Sequence, residues 1–102
     1  MKKNQKYQKP APNLVDVPLS FTLPDASAVC LAGTFNDWNP AAMPLTAKED
    51  HTWAATLRLT PGRYEYRIVA DGAWLDVPGA QESVENGFGS HNAVLRVAMT
   101  DR

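Results

Sequence analysis

Tyr64-Glu65-Tyr66-Arg67-Ile68-Val69-Ala70-Asp71-Gly72-Ala73-Trp74-Leu75-Asp76-Val77 decides how this chain folds. Asp-Gly between two apolar-rich runs is a strong signal for a two-residue hairpin loop. Such a loop sets the register of the strands that it joins. Ala70 then lies opposite Ala73, Val69 opposite Trp74, Ile68 opposite Leu75 and Arg67 opposite Asp76. Opposed residues share a face, and the faces alternate along each strand. Tyr64, Tyr66, Ile68, Ala70 and Leu75 are therefore expected to point to a core. Arg67, Val69, Trp74 and Asp76 share the outward face.

Similar patterns run on both sides of this hairpin. Val15, Val17, Leu19, Phe21 and Leu23 alternate with polar residues, which predicts a half-buried strand. Pro18 on its outer parity points to an edge, since Pro cannot donate to a ladder. Pro24-Asp25-Ala26-Ser27 reads as a turn, and residues 28–33 as a second strand with Val29 and Leu31 on one face. Met43 to Thr46 is expected as a short strand. Trp53, Ala55, Leu57 and Leu59 give another long strand, with Trp53 in the core or at its margin. Thr60-Pro61-Gly62 turns into the hairpin. Residues 78–91, rich in Gly, Ser and Asn, read as a long loop, and a last strand is expected from Asn92 to Met99. No stretch has a helical period. The fold class is all-β, an antiparallel β-sandwich.

The length of 102 residues suits one domain, here 14–102. Residues 1–13 are polar, basic and broken by proline, and are expected to be a flexible arm, either a solvated tail or a docking arm for an acidic partner. Hydrophobic residues at 44% and charged residues at 21% are an ordinary globular mix. The net charge of −1 hides an asymmetry. Lys2, Lys3, Lys6 and Lys9 precede every acid, so the remainder holds six bases against eleven acids, a net of −5. An acidic body argues against nucleic acid, whose phosphates need clustered Lys and Arg. No apolar run approaches a membrane span, and the basic start leads into no apolar signal segment. Cys30 is the only cysteine, so no internal disulfide can form and a reducing, cytoplasmic location is expected. It reads as a small packed thiol within a strand.

Function is concentrated after the second strand, in Leu31-Ala32-Gly33-Thr34-Phe35-Asn36-Asp37-Trp38-Asn39-Pro40. The apolar run bends at Gly33 and enters a cluster of turn formers that holds one large aromatic. Trp38 is either packed under its loop or displayed, and display is the reading favoured. Trp74 is likewise either displayed or packed beneath 78–91. A displayed indole suits the apolar C–H face of a pyranose, and Arg or Asn at the rim suits its hydroxyls. The bland alternative for Arg67 with Asp76 is an exposed ion pair worth little.

Together with Gly89-Ser90-His91-Asn92, these segments resemble carbohydrate-binding module family 48 over about Leu14 to Met99. That family includes the glycogen-binding domain of the AMP-activated protein kinase beta subunit and the early-set domains preceding isoamylase and branching-enzyme catalytic barrels. The resemblance implies an immunoglobulin-like, early-set sandwich that binds α-1,4-glucans: glycogen, starch and maltooligosaccharides. Trp38 and Trp74 match its two stacking Trp. Arg67 stands where the kinase domain has Lys, and a planar fork selects a different hydroxyl geometry from a point charge. Asn92 matches an Asn that bonds the sugar, Phe88 a hydrophobic residue at the rim, and Ser90 a Thr. Asn36 or Asp37 is expected to hold the first loop.

Two other classes compete with glucan binding. No pair of carboxylates is forced together as a glycosidase requires, and His51 and His91 lack a third partner at metal-ligand spacing, so neither catalysis nor a cofactor or metal is expected. The alternative is an early-set protein-interaction module whose exposed Trp residues dock a glucan-metabolising enzyme.

Overall fold

Alternating apolar residues need a second layer to cover them, and two sheets supply it. The computed structural model describes residues 14–98. The basic arm over 1–13 and Met99, the expected end of the last strand, lie outside the described residues. Eight strands follow in order: β1 Val15–Thr22, β2 Val29–Gly33, β3 Thr46–Ala47, β4 Thr52–Leu59, β5 Gly62–Ala70, β6 Ala73–Leu75, β7 Ser83–Glu85 and β8 His91–Val97. One sheet has the order β1-β4-β3, the other β2-β5-β8-β7 with β6 also on β5, and every pairing is antiparallel.

The inner parities meet as expected. Phe21 from β1, Leu57 and Leu59 from β4, Val29 and Leu31 from β2, Tyr66, Ile68 and Ala70 from β5, and Ala93 and Val97 from β8 form one buried cluster. Trp53 packs at its margin. β1 is an edge strand, where the missing N–H of Pro18 is tolerated.

The β5–β6 hairpin has the register that its turn dictates: Ala70 with Ala73, Val69 with Trp74 and Ile68 with Leu75. Asp71 and Gly72 both have positive φ, 51° and 85°, as a primed turn requires. The Asp71 carboxylate does a second job. It accepts the backbone N–H groups of Ser27 and Ala28, with shortest distances of 3.0 and 2.8 Å, and so ties the β1–β2 turn to the hairpin.

Four expectations need correction. Leu75 shares the inner face with Ile68 yet is 38% exposed. The facing sheet is only three strands wide and leaves β6 uncovered, so Leu75 lies in an open hollow beside Leu23, Pro24 and Ala26. Val69 does face outward, opposite Trp74, but is only 7% exposed. The loop expected over 78–91 contains β7, paired with β8 in a hairpin that also draws His91 into strand structure. The short strand expected over 43–46 is divided between the sheets. Leu31 N–H donates to the Met43 carbonyl and Leu45 N–H to the Val29 carbonyl, at 3.0 and 2.8 Å, before Thr46–Ala47 pairs with β4.

Candidate functional site

Loops can place side chains only as firmly as their own hydrogen bonds hold them. In the loop after β2 those bonds run through Asn36 rather than Asp37. The Asn36 side chain accepts from Gly33 N–H at 3.0 Å and donates to the Leu31 carbonyl at 3.0 Å. The Gly33 carbonyl accepts the N–H groups of Asn36 and Trp38 at 3.0 and 2.9 Å. Asp37 contributes backbone shape instead. Asp37 and Trp38 have φ of 57° and 59°, a left-handed pair without glycine. A bulky aromatic seldom adopts that conformation, which costs roughly 1–2 kcal/mol for an L-residue. The surrounding bonds enforce it, and Trp38 is carried half-buried to the edge of the outer sheet face.

We expect Asn36→Ala to remove both clips on this loop. The loss should be about 1–3 kcal/mol, read as a shift in the urea midpoint. An unchanged midpoint would show that the loop is held by other means.

The outer face of β2-β5-β8-β7 supplies the rest. β5 alternation puts Glu65 and Arg67 outward, and its pairing with β8 brings Asn92 to the same face. Trp74 stands on β6 with 41% of its surface exposed. The turn between β7 and β8 carries Phe88 at its tip, 89% exposed. Trp38, Arg67, Trp74, Asn86, Phe88 and Asn92 line one open groove of about 530 Å³. Five of the six residues expected at the site are therefore brought together. Ser90 is not among the lining residues; it lies half-buried in a neighbouring hollow with Glu85, Gly87, Gly89 and His91.

Among the described residues Arg67 is the only formally charged one lining the groove, and it is already engaged. Its Nη2 donates to Asp76 Oδ1 at 2.9 Å, with only 13% of the Arg side chain exposed. Its Nε is buried, without a hydrogen-bond partner among the described residues. Asp76 also accepts the His91 backbone N–H at 3.2 Å, and the His91 ring lies 3.6 Å from its other oxygen. The expected pair is thus part of a three-residue cluster. The His91 N–H, more than the Arg67 charge, holds the Asp76 carboxyl below its ordinary pKa.

Two groups escaped the sequence reading. Asn86 lines the groove, donates to Asn92 Oδ1 at 3.2 Å and accepts Phe88 N–H at 2.9 Å. Glu65 accepts from Asn92 Nδ2 at 3.0 Å and from Arg63 at 2.8 Å. Signals existed for both: Asn86-Gly87 is itself a turn dipeptide, and Glu65 shares outer parity with Arg67.

The Asn92 amide, helped by Arg63, lowers the Glu65 pKa, and Arg96 does the same for Glu82. A carboxyl whose folded pKa lies below its unfolded one contributes stability that is complete above the unfolded value. That contribution is lost as pH falls through the folded value. With Glu65, Asp76 and Glu82 all shifted this way, the urea midpoint should be level from neutral pH to about 5 and fall steadily below about 4. A midpoint that rises on acidification would contradict this assignment.

A family model described as the glycogen recognition site of AMP-activated protein kinase matches residues 15–102. Over 53 residues the chain is 40% identical to protein FLOURY ENDOSPERM 6, chloroplastic, of Oryza sativa subsp. japonica, covering 52% of this chain and 10% of that protein. It is 32% identical over 69 residues to 5'-AMP-activated protein kinase subunit beta-1 of Sus scrofa, covering 68% and 53%. It is 36% identical over 93 residues to an amylopullulanase of Thermoanaerobacterium thermosulfurigenes, covering 84% and 5%. The chain thus spans about half the length of one of these relatives and a tenth or less of the other two.

Proposed function

The chain belongs to the family described as the glycogen recognition site of AMP-activated protein kinase, and from that premise we propose that it is a non-catalytic module that holds an α-1,4-glucan across the groove between Trp38 and Trp74. The observation that carries this reading is convergence. Trp38, Arg67, Trp74, Phe88 and Asn92 come from five segments, the loop after β2, β5, β6, the β7–β8 turn and β8, and line one open groove. Aromatic faces there can cover the apolar face of a pyranose, and Arg67 and Asn92 can meet adjacent hydroxyls. Ser90 would shape the rim only indirectly, through the turn that carries Phe88.

The same lining argues for binding rather than cleavage. Glycoside hydrolysis needs two carboxyl groups flanking the bond. Among the described residues no carboxyl lines the groove, and the nearby Glu65 and Asp76 are each occupied by two donors. Among the described residues no group of three His, Cys, Asp or Glu is placed to hold a metal ion. An open groove with few immobilised groups would bind glycogen, starch or maltooligosaccharides with modest affinity. A free Cys30 fits a reducing compartment such as the cytoplasm.

The test is co-sedimentation. Protein mixed with glycogen or insoluble starch should pellet with the polysaccharide, and a cyclodextrin should quench Trp fluorescence. Protein that stays wholly in the supernatant, with no quenching, overturns the glucan reading. The second reading, a module that docks a glucan-metabolising enzyme, is favoured by relatives named as a kinase subunit and an amylopullulanase. It predicts that a catalytic partner is retained when both Trp residues are replaced and glucan binding is lost.

A further inference from the structure

We infer that Asn86 and Glu65 are positioning residues that fix which way round the Asn92 amide meets the ligand, an inference that rests on the glucan reading. An amide side chain can present either its oxygen or its nitrogen, and nothing in Asn92 itself decides between them. Its two neighbours decide. The Glu65 carboxylate, held by Arg63 and with its pKa lowered, is an acceptor only, so the Asn92 nitrogen must face it. Asn92 Oδ1 then faces Asn86 and takes a hydrogen from its Nδ2 at 3.2 Å.

The other end of the chain imposes the same direction. Phe88 N–H is a donor only, so Asn86 must turn Oδ1 towards it and Nδ2 towards Asn92. A carboxylate at one end and a backbone N–H at the other thus force one polarity along Glu65, Asn92 and Asn86. Asn92 is only 8% exposed and lines the groove, so its polarity is set before any ligand arrives. Its remaining amide hydrogen has no partner among the described residues, and neither has the second amide hydrogen of Asn86. Each side chain therefore has a hydrogen to give to a sugar oxygen. The same Asn86 bond fixes the turn that lifts Phe88.

Asn86→Asp separates these roles. The new carboxylate still accepts Phe88 N–H, but it sets an oxygen against Asn92 Oδ1. Maltoheptaose titrated against Trp fluorescence should bind Asn86→Asp at least tenfold more weakly than the wild type. The double variant Asn86→Asp with Glu65→Gln allows the whole chain to reverse, because Gln can donate where Glu cannot. It should recover the thermal midpoint lost in the single variant while binding stays weak. Wild-type affinity in either variant overturns the inference, since polarity would then be irrelevant. So does a double variant in which binding returns in step with stability, since the role would be structural. Wild-type protein that ignores maltoheptaose overturns the glucan reading itself and this inference with it.

Discussion

Trp74→Ala is expected to release the protein from glycogen. Trp74 sits on a three-residue edge strand, paired with Val69, is 41% exposed and lines the groove. Losing an aromatic that serves as the anchor of a binding face costs about 2 kcal/mol or more, roughly a thirtyfold loss of affinity. For a site of modest affinity that moves the protein from pellet to supernatant. Trp38→Ala should act in the same direction. The two differ in their effect on the fold, since Trp38 is half-buried on a strained loop and Trp74 is exposed. Trp74→Ala should thus lose binding with little change in thermal midpoint. Co-sedimentation and a thermal melt on the same sample check both halves. Undiminished binding by the double Trp variant would move the site elsewhere.

Gly33→Ala is expected to have the largest effect on stability. A Cβ there would lie 2.5 Å from the Glu65 carbonyl oxygen, 2.7 Å from Tyr66 Cβ and 3.0 Å from the Phe35 ring. The first two contacts belong to the neighbouring strand at a paired position and cannot swing aside. β2 and β5 must therefore part where the Trp38 loop begins. Overpacking of this kind costs about 3 kcal/mol, out of a total stability of roughly 5–15 kcal/mol for a domain. The thermal midpoint should fall by more than about 10 °C at this chain length. Circular dichroism melts decide it, and a fall of only a degree or two would show that the strands can yield.

Much of this architecture is readable in the residues where one local rule dominates. Asp71-Gly72 sets a register that has no free parameter, so Trp74 lands opposite Val69 and Arg67 reaches Asp76. Long alternation in β1, and in β4 from Thr56 to Leu59, reports burial directly. The rest depends on what lies across a gap in sequence. Ser83-Val84-Glu85 is too short to declare itself a strand and exists because β8 offers an edge. Leu75 has the parity of a core residue, but parity cannot tell how far the opposite sheet extends. Trp38 and Trp74 stand out in the sequence because large aromatics among polar residues are conspicuous. Asn86 does not, because its part comes from Asn92 and Phe88, which only the hairpin brings within reach.

The divided segment 43–47 has one more consequence. A glucan-bound module gathers many copies on one polymer, where unpaired strand edges invite copies to stitch together. Here the β2 edge is closed by Met43–Leu45, while β3, β6 and β7 have only two or three residues each. Among the described residues the one long edge, β1, carries Pro18 near its middle. Such edges resist sheet-to-sheet polymerisation. On the proposed function, copies crowded on a polysaccharide would therefore meet few strand edges able to pair.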